Sequence, residues 1–222
     1  EQLKLVDVVL EVRDARIPLA THHPDIDRWI GSKARVLVLN RVDMIPSHLK
    51  EAWIKWFREH EQEPIFSDAQ HGKGIEDIRK AAQNAGVAMN QRRRDRGMLP
   101  RPVRAVVIGF PNVGKSALIN RLLKRRVVDS ARRAGVTRQL RWVRISDEIE
   151  LLDAPGVLPN KLLDQQAAIK LAICDDIGEA AYDNQRVAAS FVDLLKELGT
   201  EQPLTERYGV SAADMTGESY LK

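Results

Sequence analysis

Cysteine, aromatic residues and long apolar runs are scarce in this chain of 222 residues. Its single cysteine, Cys174, excludes an intrachain disulfide framework and is typical of proteins from a reducing compartment. No apolar stretch reaches the roughly 18 residues that would indicate a membrane-spanning helix, and no secretory signal opens the chain. The five histidines have no zinc-ligand spacing with cysteine. Because the chain opens at Glu1 rather than at a methionine, we expect native residues before it.

Positive charge is concentrated in the middle of the chain. The formal net charge is only +4, but one segment combines many basic residues with few acids: Arg92, Arg93, Arg94, Arg96, Arg101, Arg104, Lys124, Arg125, Arg126, Arg132, Arg133, Arg138, Arg141 and Arg144. Such a segment favours a polyanionic partner. The alternative is a solvated linker with exposed helix ends.

Apolar runs alternate with helical patterns along the first part of the chain. Strands are predicted at 6–12, 34–40, 64–66 and 103–108, helices at 24–30, from Ser47, at 74–87 and at 115–123, and an antiparallel pair at 141–145 and 149–153. Near-continuous apolar runs are typical of parallel strands covered on both faces. We therefore expect an α/β domain with a mostly parallel sheet flanked by helices.

Polar segments and a helical tail complete the predicted organisation. The arginine-rich, proline-closed segment at about 89–101 is interpreted as a linker, and 124–139 as a mobile loop. Beyond Asp164 the pattern predicts helices at 165–174 and 187–198, with a proline-led turn at Gln202 and Pro203. The predicted domains are an α/β domain over 1–163 and a small all-helical domain over 164–222.

The segment 109–116, GFPNVGKS, matches the phosphate-loop pattern G-x-x-x-x-G-K-[ST] between a predicted strand and a predicted helix. Its backbone N–H groups and the helix N-terminus would face phosphate oxygens, and Lys115 would reach the β- and γ-phosphates. A chance glycine turn is the alternative. The residues predicted to contact the nucleotide here are Pro111, Asn112, Val113, Gly114, Lys115, Ser116 and Ala117.

Three further residues follow the phosphate loop in the order that nucleotide hydrolases use. Asp153 begins D-x-x-G at a strand end, where its carboxylate would hold Mg²⁺ through water and the Gly156 N–H would sense the γ-phosphate. Thr137, together with the Ser116 hydroxyl, completes the predicted Mg²⁺ ligands. Lys115, Thr137 and Gly156 are the catalytic candidates.

A base-reading motif precedes the phosphate loop instead of following it. In the segment 40–43, NRVD, Asp43 could accept the ring N–H and the exocyclic amino group of guanine, a donor pair that adenine lacks. Asn40 could brace the base and neighbouring loops, and the planar guanidinium of Arg41 could lie over the base. Further on, Asp68 could form a local turn bond, leaving the Ala69 amide for the guanine carbonyl.

This permuted order resembles the circularly permuted GTPases, most closely the YlqF/RbgA ribosome-biogenesis family. The residues that carry the resemblance are DARIP at 14–18, NRVD at 40–43, GFPNVGKS at 109–116, GVT at 135–137, DAPGVL at 153–158 and ERYG at 206–209. The resemblance implies a GTP/GDP-binding P-loop fold and GTPase activity that is stimulated by the large ribosomal subunit precursor and its rRNA. It also implies a bacterial cytoplasmic or an organellar setting; we expect a monomer with an RNA-contacting helical domain.

Hydrolysis is expected to be slow in the isolated protein, because Val157 occupies the place where many GTPases orient water with glutamine. The catalytic environment could be completed by partner RNA, a repositioned loop, native residues before Glu1 or a monovalent cation. In similar GTPases an asparagine at the Asn112 position helps to bind K⁺, which could offset transition-state charge. Two other readings stay open: an ATP-using P-loop hydrolase, and a nucleotide-gated RNA-binding scaffold in which hydrolysis is incidental.

Overall fold

The structure is a computed structural model that describes residues 2–123, 141–153, 164–178 and 182–222. Its chain divides into two compact units, Glu1–Asn160 and Lys161–Lys222. The assignment of 1–163 to a GTPase domain and of 164–222 to an RNA-contacting domain stays a prediction. The predicted mobile loop at 124–139 lies outside the described residues.

Six strands of the described chain form one sheet in the first unit. They are β1 (Val8–Asp14), β2 (Ala34–Asn40), β3 (Ile65–Ser67), β4 (Val103–Gly109), β5 (Arg141–Arg144) and β6 (Ile149–Asp153), in the order β3-β2-β1-β4-β6-β5. All neighbouring pairs are parallel except β5 with β6, which is antiparallel. The predicted α/β class and the predicted antiparallel pair are confirmed.

Helices cover both faces of this sheet, as parallel strands require. They are α1 (Ile26–Ile30), α2 (Ser47–Glu59), α3 (Ile75–Asp95) and α4 (Lys115–Leu122). Against one face, Ile26 and Ile30 pack with Val9 and Val106, while Phe57 of α2 packs farther along the same face. Helix α3 packs against β1, β2 and β4 on the opposite face.

A charged cluster is buried among these apolar residues, centred on Glu11 of β1. Its carboxylate accepts hydrogen bonds from Arg13 Nε at 2.6 Å and Arg35 Nε at 2.6 Å, and His22 Nδ1 lies 3.3 Å away. Burial by itself raises the pKa of Glu11, but the hydrogen bond with His22 and the attraction of the two arginines outweigh it and lower the pKa to about 2. Glu11 is therefore an ionised, compensated core residue.

The prediction of a linker at about 89–101 is wrong for the first half of that segment, because α3 continues without interruption to Asp95. Arginine, glutamine and methionine are good helix formers despite their polarity or size, and arginines in the last turn interact favourably with the helix dipole. Gly97 ends the helix with a positive φ of 70°. The returning chain is then held by two hydrogen bonds between the Asn90 side chain and the Arg101 backbone, of 3.0 and 3.1 Å.

All regular elements in the described part of the second unit are helices, as the pattern predicted. Its helices are α5 (Gln165–Ile173), α6 (Asn184–Glu197), α7 (Gln202–Tyr208) and α8 (Gly217–Tyr220). Asp164 and Asp183 cap α5 and α6 by accepting backbone N–H groups. The turn predicted at Gln202 and Pro203 is wrong: the proline lies in the first turn of α7, where its missing N–H costs no hydrogen bond.

Among the residues that the structure describes, no helix combines the length and the apolar character needed to cross a membrane.

Candidate nucleotide-binding site

The carboxyl ends of the parallel strands bring the two sequence motifs to one edge of the sheet. Asp14 of β1 lies beside Asn40 of β2, Asn40 lies beside Ser67 of β3, and Val12 lies beside Gly109 of β4. The proposed base-reading residues and the phosphate loop, separated along the chain, therefore meet at the same edge. Ligands of open α/β sheets bind at this edge.

The phosphate loop, 109–116, runs from β4 into α4. Asn112 and Gly114 have positive φ values of 57° and 94°, which bend the backbone sharply before the helix begins. The buried Lys115 donates from Nζ to the Phe110 carbonyl at 2.6 Å, so its ammonium group is folded over the loop. A Cβ added at Gly114 would lie 2.2 Å from Nδ2 of Asn40, which requires glycine at this position.

Asn40 joins the phosphate loop to the loop after β3. Its Nδ2 donates to the Val113 carbonyl at 2.9 Å, and its Oδ1 accepts from Ser67 Oγ at 3.1 Å and from the Ala69 amide at 3.0 Å. The side chain is buried, so each of these bonds replaces water that is no longer available. Asn40 is thus the structural link among three segments, and in this structure the Ala69 amide is bonded to it.

Arg41 connects the end of β2 to the phosphate loop through a second set of contacts. It has a left-handed φ of 65°, and its guanidinium donates to the Asp14 carboxylate at 2.9 Å and to the Asn112 carbonyl. Asp14 is buried and also accepts from Arg16 Nε at 3.0 Å and Nη2 at 2.7 Å. A buried carboxylate with two arginine partners holds Arg41 beside the phosphate loop, a role of Asp14 that sequence reasoning missed.

The exposed Asp43 lies in a short 3₁₀ turn, Val42–Met44, near the loop after β3. The possible ligand atoms of Asp43, Asp68 and His71 lie within 4.8 Å of one another. Asp68 Oδ1 accepts the amides of Gln70 and His71, both at 2.9 Å, which is the local turn bonding expected of this residue. Burial raises the pKa of Asp68, but the hydrogen bonds from His71 outweigh it, and the pKa falls below its usual value.

Arg121 of α4 is a further site residue that the sequence did not reveal. Its Nε donates to the Ala69 carbonyl at 3.0 Å, and another guanidinium nitrogen donates to the Gln70 carbonyl. It ties the loop after β3 to the helix that begins at the phosphate loop. On a helix surface such an arginine looks solvent-facing, and no local signal distinguishes it from one.

Residues with oxygen ligands suitable for Mg²⁺ lie at the same edge of the sheet. Ser116 is the second residue of α4, and the backbone of Asp153 ends β6 beside Val107 of β4. The metal site predicted from these residues stays a prediction. Thr137 and Gly156 lie outside the described residues.

Comparisons with known proteins found a matching family model and similar sequences and structures. The family described as "50S ribosome-binding GTPase" matches residues 104–204. The chain is similar to ribosome biogenesis GTPase A of Bacillus cereus, with 38% identity over 95% of this chain and 71% of the relative. The corresponding protein of Priestia megaterium is 37% identical over 95% of this chain and 73% of the relative. The GDP-bound structure of TM YlqF has a TM-score of 0.66 and 25% identity, and the match covers 93% of this chain and 78% of that chain. The chain therefore belongs to the ribosome biogenesis GTPase A (YlqF/RbgA) family.

Proposed function

We propose that this member of a ribosome-biogenesis GTPase family hydrolyses GTP slowly alone and faster on the large ribosomal subunit precursor, acting as a nucleotide-dependent switch on its rRNA. The observation that carries the proposal is the 2.9 Å hydrogen bond between Asn40 Nδ2 and the Val113 carbonyl. It links the motif suited to guanine with the motif suited to phosphates across a 73-residue separation in sequence. The proposed setting is a bacterial cytoplasm or an organelle, with the protein acting as a monomer.

Guanine selection is assigned to the exposed carboxylate of Asp43. Two oxygens of one carboxylate match the ring N–H and exocyclic amino group of guanine, and an adenine base would leave them unpaired. The Ala69 amide would bind the guanine carbonyl by sharing or exchanging its 3.0 Å bond to Asn40. Arg41 lies over the base in this proposal while keeping its contact with the phosphate loop.

Phosphate binding is assigned to the loop 109–116 and to Lys115. The Lys115 ammonium is bonded to the Phe110 carbonyl, and a phosphate oxygen is a stronger, charge-assisted acceptor that would take its place. Ser116, Asp153 and Thr137 would hold Mg²⁺, which neutralises β- and γ-phosphate charge when bound. Val113 and Ala117 would donate backbone N–H groups to the phosphates, whereas Pro111, which has no backbone N–H, would contact the nucleotide by packing alone.

Hydrolysis is proposed to depend on groups outside the classical glutamine position. The side chain of Val157 cannot orient water by hydrogen bonding. The large ribosomal subunit precursor, or K⁺ near Asn112, would therefore complete the transition-state environment. Turnover in KCl is expected to exceed turnover in NaCl at equal ionic strength. Equal rates would remove the K⁺ part of the proposal and leave GTP binding intact.

The decisive experiment measures GTP turnover with and without purified large ribosomal subunits. Stimulation, together with GDP binding that excess ATP does not displace, supports the proposed function. Tight subunit binding without stimulated turnover would instead favour a nucleotide-gated scaffold, and displacement of GDP by equimolar ATP would favour an ATP-using hydrolase. The control is Lys115→Ala, which should abolish nucleotide binding and stimulation together.

A further inference from the structure

Four arginines lie close together at the C-terminal end of α3, which we call the arginine tip: Arg92, Arg93, Arg94 and Arg96. Helix α3 begins at the edge of the sheet that holds the nucleotide motifs, since a Cβ at Gly74 would contact the Phe66 carbonyl at the end of β3. It has 21 residues, and at 1.5 Å per residue it extends about 31 Å.

The other end of α3 lies at the opposite edge of the sheet. Arg101, a few residues beyond the tip, pairs through its guanidinium with Asp7 at 2.8 and 2.9 Å. Asp7 directly precedes β1, and Val103 begins β4, so this part of the chain is at the amino ends of the strands. The tip is therefore distant from the phosphate loop.

The four arginines of the tip outnumber the one acidic residue among them, Asp95, whose Oδ1 accepts a hydrogen bond from Gln91 Nε2 at 2.9 Å. Across 2–123 and the other described ranges, no carboxylate lies within ion-pair distance of any of the four tip arginines. Arginines of the described ranges that do have acidic partners are Arg13, Arg16, Arg28, Arg35, Arg41, Arg79, Arg101, Arg104 and Arg144. The helix dipole accounts for a preference for cations at this end, but four neighbouring like charges still repel one another.

The backbone of the tip is ordered by its own hydrogen bonds. The amides of Gly97 and Met98 donate to the carbonyls of Arg94 and Arg93 at 2.8 and 2.9 Å. The side chain of Arg93 also donates from Nε to the Leu99 carbonyl at 2.9 Å. Leu99 itself is 83% exposed, so an exposed apolar side chain follows the arginine tip closely along the chain.

We propose that the arginine tip is a docking surface for the sugar-phosphate backbone of structured RNA. Guanidinium groups bind phosphate oxygens in a bidentate manner, and because the helix backbone is already ordered, binding costs only side-chain freedom. The inference rests on the proposed ribosomal function but assigns RNA contact to the first unit, in addition to the helical unit. Because the tip and the nucleotide motifs lie at opposite edges of the sheet, RNA docking here leaves the nucleotide site accessible.

The test compares two double variants with the same change in charge. Arg92→Glu/Arg94→Glu reverses two tip charges, and Lys55→Glu/Arg58→Glu reverses two exposed charges on α2. The probe is a 20-base-pair RNA duplex titrated at several salt concentrations. The tip variant should lose at least tenfold in affinity at 0.1 M salt, and its slope of log K against log salt should fall by about 1.5, because roughly 0.7–0.9 arises per phosphate contact.

Three further measurements make the outcome decisive. The control variant should retain RNA affinity within about threefold, both variants should keep wild-type GDP affinity, and far-ultraviolet circular dichroism should be unchanged. Wild-type RNA affinity in the tip variant, or an equal loss in the control, would overturn the docking surface. Competition by polyglutamate as effective as by RNA would overturn it in favour of an acidic protein partner.

Failure of the docking surface remains distinguishable from failure of the proposed function. Subunit-stimulated GTP turnover by the wild-type protein tests the function alone, and the RNA affinities of the two variants test the tip alone. A stimulated wild-type enzyme with an unaffected tip variant would refute only the docking surface. An unstimulated wild-type enzyme would refute only the proposed function.

Discussion

Replacing Asn40 with alanine removes the side chain that links the phosphate loop to the loop after β3. The wild-type amide is 2% exposed and makes three hydrogen bonds, to the Val113 carbonyl, the Ser67 hydroxyl and the Ala69 amide. The substitution leaves all three partner groups buried and without the amide to which they were bonded. The expected consequence is a large loss of stability together with a loss of GDP affinity.

The magnitude follows from the groups that lose their partner. A buried donor or acceptor left unsatisfied costs about 1–3 kcal/mol. The Val113 carbonyl and the Ala69 amide are fixed by the backbone, whereas the Ser67 hydroxyl can rotate and a water molecule can enter the vacated volume. We therefore expect the free energy of unfolding to fall by about 3–5 kcal/mol, a substantial share of the 5–15 kcal/mol typical of a domain.

The assay is equilibrium unfolding in urea, followed by tryptophan fluorescence, to which Trp53 and Trp56 of α2 contribute. Ser67→Ala is the matched control, because it removes only one of the three bonds and should cost about 1 kcal/mol. GDP affinity, measured by titration with a fluorescent GDP analogue, should fall at least tenfold in Asn40→Ala. If Asn40→Ala were no more destabilised than Ser67→Ala, the bridging role would be refuted.

Three further predictions concern acid stability and the geometry of the site. The pKa of Glu11 is lowered from 4.5 to about 2. The stabilisation that its ionised form gives the fold, roughly 3 kcal/mol, is therefore complete above pH 4.5 and is lost as the pH falls through about 2. Urea unfolding between pH 7 and pH 2 should show this loss in the wild type and a flatter profile in Glu11→Gln. Gly114→Ala should weaken GDP binding more than tenfold, because the added Cβ would lie 2.2 Å from Asn40 Nδ2. Gly31→Ala is the control: this glycine also has a positive φ but has open space around it, so GDP affinity should be unchanged. Arg121→Ala should raise the dissociation rates of GDP and of inosine diphosphate severalfold and to a similar extent, measured by chase with unlabelled nucleotide, because both bases carry the carbonyl assigned to the Ala69 amide. An unchanged dissociation rate for both nucleotides would argue against a role of Arg121 in holding the loop after β3.

Local sequence patterns determined much of the fold. The strands Ala34–Asn40 and Ile149–Asp153 begin and end where the apolar runs do, because a buried parallel strand needs apolar residues on both faces. The phosphate loop was equally recognisable, since glycines and a lysine at fixed spacing are a local requirement. The predictions failed at α3 beyond Val87, where polar composition was taken for a linker although its residues favour helix.

The order of the motifs along the chain also determined that the protein is circularly permuted, because each motif kept its place at a strand end. What only the tertiary structure decided is which side chains join those ends. Arg41 reaches Asp14 and the Asn112 carbonyl, and Arg121 reaches the Ala69 carbonyl, across separations of tens of residues. Such contacts depend on the order and register of the strands, which a local sequence pattern does not specify.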